Sequence, residues 1–377
     1  MKNIIVLGAG MVGSAIAIDL SKKHNVSLTD LNQDPLIKAY QKCNNLKTFL
    51  LDVTKKSTLQ KTIKGFDLVV CAVPGFLGFE TLKSIIEAEI NVVDISFFSE
   101  NSLELDALAK DKNITAIVDC GVAPGMDNII LGYYNEKMKL TDFECLVGGL
   151  PKVKKWPFCY KAPFSPIDVI EEYTRPARYI ENGEMITRDA LTDCEYIEFQ
   201  GVGTLESFNS DGLRSIIFTM PHIKNMKEKT LRYPGHVEYI KVLKKSGFFD
   251  TAKIEINGTK LSPLDVTSKI TEYLSPVIPV VLGPQDYGDA TVGYIRGQDA
   301  ELGGSGDFIT WKFAINYDKL GGAWQWLDQP ATLFLVAAAA TVDDVYASQR
   351  SAVALEIRGS SQTPISNNIT LNYPRGI

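Results

Sequence analysis

From Ile4 onward the chain sets short apolar runs against stretches whose apolar residues recur every three to four positions. The first pattern is that of buried strands and the second that of amphipathic helices. Ile4 to Leu7 is a mostly β-branched run suited to a parallel strand covered on both faces. Helical periodicity over 11–22, a second run over 26–29 and a helix over 35–42 follow it. The alternation then predicts strands over 47–51, 67–73, 91–94 and 115–119, with helices over 57–63, 79–88 and 103–110 between them. Right-handed crossovers turn such a series into a doubly wound parallel sheet of Rossmann type, whose ligand lies beyond the carboxyl ends of the strands. The expected fold class is therefore α/β.

At Cys120 the rhythm changes. Gly121-Val122-Ala123-Pro124-Gly125 is rich in turn formers and reads as a hinge before a helix over 126–134. Strand character returns over 143–147, 196–199 and 253–256, and helices are predicted over 166–173 and 236–246. These elements predict a second, α+β substrate domain with an open sheet. The expected boundaries are 1–122 for the Rossmann domain, 123–282 for the substrate domain and 283–377 for an atypical C-terminal segment. That segment has only Lys312 and Lys319 as lysines, a linker-like Gly303-Gly304-Ser305-Gly306 and an apolar stretch at Ala337 to Ala340. It reads, in this order, as a diverged completion of the substrate domain, a separate small module or a non-native junction.

The joint between the first strand and first helix carries the chemistry. Gly8, Gly10 and Gly13 have the G-x-G-x-x-G spacing, with Ala9, Met11 and Val12 between them. The first glycine allows the tight turn, the second lets backbone approach a pyrophosphate, and the third lets helix and strand pack closely. The helix N-terminus then holds the anion without a basic side chain. A tight turn that binds nothing has the same spacing, but here a second strand follows and ends on Asp30. A carboxylate there accepts hydrogen bonds from the adenosine ribose and repels a 2′-phosphate, so NAD is expected in preference to NADP. By topology, Asp52 and Val53 are expected near the adenine, Ala72, Val73 and Pro74 beneath the nicotinamide half, and Asp94, Ser96 and then Asp119 near the ring. Asp52, ahead of Val53 and Thr54, is an equally good helix cap.

A net charge of -6 and a pI near 5.3 give no sign of a nucleic-acid partner, so a small molecule is the expected ligand. The longest apolar run, Leu333 to Val342, is about half the roughly 20 residues a membrane span needs, and Met1 to Val6 does not read as a secretory leader. A cytoplasmic homo-oligomer with no membrane association is the expectation. Six dispersed cysteines without a C-x-x-C pair fit buried reduced thiols, and three dispersed histidines suggest no metal site.

Taken in order, Gly8 to Gly13, Gly121 to Gly125, Gly148-Gly149-Leu150-Pro151 and Thr230-Leu231-Arg232-Tyr233-Pro234-Gly235-His236 make the chain resemble the saccharopine dehydrogenase family, which includes lysine 6-dehydrogenases. The resemblance covers about residues 1–270. It implies a Rossmann domain joined to an α/β substrate domain, and oxidation or formation of a C-N bond on an amino acid with a nicotinamide cofactor. It places substrate contacts on Ser96, Phe97, Thr230, Leu231 and Arg232. Arg232 would hold an amino-acid carboxylate through paired charge-assisted hydrogen bonds, with a structural ion pair as the alternative.

Two departures bear on the substrate. Saccharopine-forming or saccharopine-cleaving members tend to carry an aspartate where this chain has Ala123, a form that lysine 6-dehydrogenases share. They also resemble one another in an arginine within the motif that here reads Phe208-Asn209-Ser210-Asp211-Gly212, where the next arginine is Arg214. These features imply a lysine 6-dehydrogenase type first. A glutamate-forming saccharopine dehydrogenase using Arg214 is second, and a non-catalytic nicotinamide-binding protein is the reading from another class. Transfer chemistry using NAD, as in polyamine synthesis, would need an acidic pocket in place of Arg232. Amine oxidation needs a base, for which Asp119 is the first candidate and His236 the second, because imidazole titrates near neutral pH. Each also has a structural reading, Asp119 as a cap and His236 as a packed helix-start residue. Lys161 is a further candidate.

Overall fold

The computed structural model describes residues 1–136, 140–151, 154, 156–160, 162, 164–199 and 202–274, and the strand segments 294–296, 308–312 and 349–358. Lys161, Gly303 to Gly306 and Ala337 to Ala340 lie outside the described residues, as does most of the C-terminal segment. Two compact units are present. The first holds residues 1–126, and the second holds the described residues from Asp127 on.

In the first unit, β1 (Asn3–Leu7), α1 (Met11–Leu20), β2 (Asn25–Asp30), α2 (Gln33–Lys42), β3 (Lys47–Leu50), α3 (Lys56–Ile63), β4 (Leu68–Cys71), α4 (Gly75–Glu87), β5 (Val92–Asp94), α5 (Asp106–Asp111) and β6 (Ala116–Ile117) follow one another. The strands form one parallel sheet in the order β3-β2-β1-β4-β5-β6. Alternate residues of β1 enter different cores, which is why it reads as an unbroken apolar run. Ile5 and Leu7 pack with Leu59, Ile63, Leu82 and Ile85 on one face. Ile4 and Val6 pack with Ile16, Leu20, Leu36 and Ala39 on the other. The expected α/β fold is the one observed. Helix α4 begins at Gly75, four residues before its expected start, because Pro74 sits at its N-cap and Gly78 belongs inside the helix. A Cβ at Gly78 would lie 2.6 Å from Phe98 Cδ1 and 2.7 Å from Ser96 Cβ, so only glycine lets α4 press on the loop after β5.

The second unit runs α6 (Met126–Asn135), β7 (Asp142–Pro151), α7 (Pro166–Thr174), β8 (Ala177–Glu181), β9 (Glu184–Arg188), β10 (Glu195–Phe199), β11 (Gly203–Asn209), α8 (Ile216–Thr219), β12 (Asn225–Arg232), α9 (His236–Lys245), β13 (Ile254–Ile256), β14 (Thr259–Leu261) and α10 (Pro263–Leu274). Backbone strands β15 (Tyr294–Arg296), β16 (Phe308–Lys312) and β17 (Gln349–Arg358) complete its sheet. The sheet is mixed: β12 runs parallel to β7 and antiparallel to β11, while β17 runs antiparallel to β7. Strand β12 escaped prediction because its sequence, NMKEKTLR, is mostly polar. It is nonetheless central, with Glu228, Lys229, Thr230 and Arg232 each 3% exposed or less. No helix among the described residues is long and apolar enough to cross a membrane.

Candidate active site

The glycine turn is built as the spacing requires. Gly8 adopts φ +101° and donates its N-H to Thr29 O at 2.9 Å, and a Cβ on it would overlap Ala72 O. A Cβ on Gly13 would overlap Gly8 O, so the first turn of α1 lies directly on the turn. Around Gly10, by contrast, 4 Å of space is clear, as close approach of a ligand to the backbone needs. Helix α1 starts at Met11, so the N-H groups of Met11, Val12 and Gly13 face outward from its first turn.

Asp30 locks this turn to the end of β2. Its Oδ2 accepts the Ala9 N-H at 2.8 Å and its Oδ1 accepts the Asn32 N-H at 2.8 Å. Each oxygen keeps a further lone pair for a ribose hydroxyl. Asp52 closes a turn ahead of α3, whose N-cap is Lys55: its Oδ1 accepts from the Thr54 N-H at 2.9 Å and the Thr54 hydroxyl at 2.6 Å. These bonds hold its carboxyl below the usual carboxylate range. Val53 packs on the sheet core, Ala72 N-H bonds to Leu7 O, Val73 is buried and Pro74 opens α4. Asp94 is fully buried and accepts from the Ser96 N-H at 2.9 Å and the Ser96 hydroxyl at 3.2 Å. Ser96 is therefore fixed from one side by Asp94 and from the other by Gly78. Phe97 is half-buried beside it. Asp119 is buried, two residues past β6, in the left-handed region at φ +56°.

In the second unit, strand geometry divides the Thr230-Leu231-Arg232 motif. Successive side chains point to opposite faces. Leu231 packs with Leu146, Leu150, Phe199 and Leu205 on one face. Thr230 and Arg232 lie on the other, where the Thr230 hydroxyl meets Ser210 Oγ at 2.7 Å. The side chain of Leu231 is thus a core residue, which corrects its grouping with the other two. Arg214 is buried at φ +44° in the loop after β11, apart from the motif in sequence.

Arg232 is 2% exposed and held at three nitrogens. Its Nη2-H donates to Glu172 Oε2 at 2.6 Å, its Nη1-H to Leu231 O at 3.0 Å and its Nε-H to Tyr173 Oη at 3.4 Å. The Tyr160 ring lies 4.0 Å from its Cζ. Burial opposes its charge, but Tyr160, Tyr173 and Glu172 outweigh that, so it stays protonated. Burial pushes Glu172 upward against the pull of Arg232. The Tyr173 phenol is pushed up to about 12 by burial.

His236 opens α9 and is buried. Nδ1 lies 2.8 Å from Phe158 O, and Nε2 lies 3.0 Å from Tyr173 Oη. Burial, with Arg232 nearby, pushes the imidazole down to about 3. The expectation of a base titrating near neutrality therefore fails for His236: the ring is neutral throughout the physiological range. Glu172, Tyr173 and Tyr160 escaped sequence reading, because a Glu-Tyr pair on an ordinary amphipathic helix carries no motif.

Residues 4–117 match the family described as Saccharopine dehydrogenase NADP binding domain, and residues 121–276 match Saccharopine dehydrogenase C-terminal domain. The chain belongs to the saccharopine dehydrogenase family. It is 27% identical over 282 residues to the mitochondrial alpha-aminoadipic semialdehyde synthase of Mus musculus, covering 70% of this chain and 30% of that protein. It is 26% identical over 286 residues to saccharopine dehydrogenase (NADP(+), L-glutamate-forming) of Saccharomyces cerevisiae, covering 72% of this chain and 64% of that one. Carboxyaminopropylagmatine dehydrogenase of Synechocystis is 22% identical over 79% of this chain and 78% of its own length. The chain thus spans about a third of the mouse relative and less than two thirds of the yeast one. Apo saccharopine dehydrogenase (L-Glu forming) from Saccharomyces cerevisiae has the same fold, with a TM-score of 0.53 at 24% identity over 66% of this chain and 59% of that chain. Residues 4–117 are thereby the nicotinamide-binding domain of this family.

Proposed function

We propose that this member of the family is an NAD-linked dehydrogenase that oxidises the amine-bearing carbon of an amino acid, of lysine 6-dehydrogenase type. The observation that carries the choice of substrate is the matching of charges in the second unit. Arg175, Arg178 and Arg188 are each ion-paired with a carboxylate, from Glu171, Asp211 and Glu181 respectively, while Arg232, paired with Glu172, keeps one N-H on Nη1 and one on Nη2. A substrate with one carboxylate, taken by the N-H groups Arg232 retains, suits this balance better than one with several. The Asp30 carboxylate at the end of β2 supports NAD over NADP. No lysine or arginine stands in Leu31, Asn32 or Gln33 to offset its charge against a 2′-phosphate. The family's NADP description is therefore one that these residues fit poorly, whereas the turn itself fits a dinucleotide.

Bound nicotinamide supplies the hydride acceptor. The chain supplies the rest: the α1 N-terminus for the pyrophosphate, Asp30 for the ribose, Arg232 for the carboxylate, and Asp119 as the proton acceptor for the amine. The name of the yeast relative favours saccharopine as a second reading. Absorbance at 340 nm, with NAD or NADP and lysine or saccharopine in parallel, decides between them. Reduction of NAD with lysine alone supports the first reading, and turnover with saccharopine alone supports the second. Silence with both, while the dinucleotide still binds, returns the non-catalytic reading.

A further inference from the structure

The polarity of the hydrogen-bond chain around Arg232 follows from its ends. Phe158 O only accepts, so His236 Nδ1 must carry the ring proton. Burial, with the Arg232 charge nearby, keeps the ring neutral, so with the proton on Nδ1 the Nε2 is a bare acceptor and the Tyr173 hydroxyl, 3.0 Å away, donates to it. With its single proton committed there, Tyr173 Oη offers only lone pairs to Arg232, which donates from Nε. Glu172, the preceding residue on α7, takes Nη2-H. Tyr160 covers one face of the guanidinium. A guanidinium has five N-H donors; with these bonds in place, one on Nη1 and one on Nη2 remain for a ligand.

We propose that Tyr173 and His236 are positioning residues that fix the guanidinium plane of Arg232 for a substrate carboxylate, His236 acting as a neutral acceptor. The proposal rests on the carboxylate reading of Arg232. An arginine free to rotate binds a carboxylate with one bond at a time, whereas a fixed fork presents two in register. Such a role leaves a signature that simple packing would not: loss of Tyr173 Oη must cost discrimination for the carboxylate rather than uniform activity.

Two measurements on the full chain test it. In the first, ¹⁵N-¹H NMR follows the Arg232 Nε-H, which should exchange slowly with water in the wild type and rapidly in Tyr173→Phe and His236→Phe. His236→Gln should restore slow exchange, because its amide oxygen accepts the Tyr173 proton. Equal exchange rates in wild type and Tyr173→Phe overturn the proposal. The second compares kcat and KM for lysine and for 1,5-diaminopentane, the same chain without its carboxylate. In Tyr173→Phe the ratio of the two kcat/KM values should fall roughly tenfold, through KM for lysine, the scale of one charge-assisted hydrogen bond. An unchanged ratio overturns the positioning role. Arg232→Lys separates the premise: if it leaves the ratio untouched, the carboxylate reading itself falls, and the exchange rates alone decide whether Tyr173 and His236 position the guanidinium.

Discussion

Replacing His236 by glutamine should flatten the acid side of the stability profile. In the folded chain burial and Arg232 hold the imidazole near 3, whereas an unperturbed histidine titrates at 6.5. Between those values the unfolded chain binds a proton here and the folded chain does not. Stability therefore rises with pH in this window, and is lost as the pH falls from 6.5 towards 3. Each pH unit costs about 1.4 kcal/mol, so the wild type should lose about 2 kcal/mol through this residue between pH 8 and pH 5. Glutamine has no proton to gain and removes that share of the slope. Glu228 acts in the opposite direction. Burial, with Glu172, Asp127 and Asp211 nearby, raises its carboxyl well above the usual range despite the Ser210 hydrogen bond. Its contribution is present below the unfolded value and is lost as the pH rises through the folded one. The informative quantity is therefore the difference between wild type and His236→Gln in urea unfolding, followed by far-UV circular dichroism at pH 8 and pH 5. If both proteins lose the same free energy between the two pH values, His236 is not buried as a neutral ring.

Three further outcomes follow from the same geometry. Asp30→Ala removes the acceptor of the Ala9 N-H together with the proposed ribose ligand, so the Kd for NADH should rise about tenfold and the proposed preference over NADPH should shrink; fluorescence titration with both cofactors checks this, and unchanged discrimination would refute the ribose assignment. Gly13→Ala forces a methyl group onto Gly8 O, and should cost about 1–3 kcal/mol in thermal unfolding while abolishing dinucleotide binding. Glu172→Ala strands the buried Arg232 charge and should cost about 3 kcal/mol, more than Glu172→Gln, which keeps an acceptor oxygen in place; equal losses in chemical denaturation would show that the charge is not what matters.

The sequence by itself determined the Rossmann unit. Its signals are short in range: the two-faced run Ile4 to Leu7, the three glycines within six residues, and Asp30 at the end of the next strand. Turn sterics and strand burial act between neighbours in the chain, so their pattern survives in one dimension. Strand β12 was lost for the opposite reason, since NMKEKTLR looks like a solvated stretch until partners from β7, β11 and α7 bury it. The motif Thr230-Leu231-Arg232 was visible, but its division between two faces became clear only once the segment was a strand. Only the tertiary structure decided that Glu172 and Tyr173 meet Arg232, and that His236 closes on Tyr173 63 residues away. The neutrality of His236 follows from that meeting, because a pKa is set by burial and by charges brought near in space, quantities that spacing along the chain does not contain.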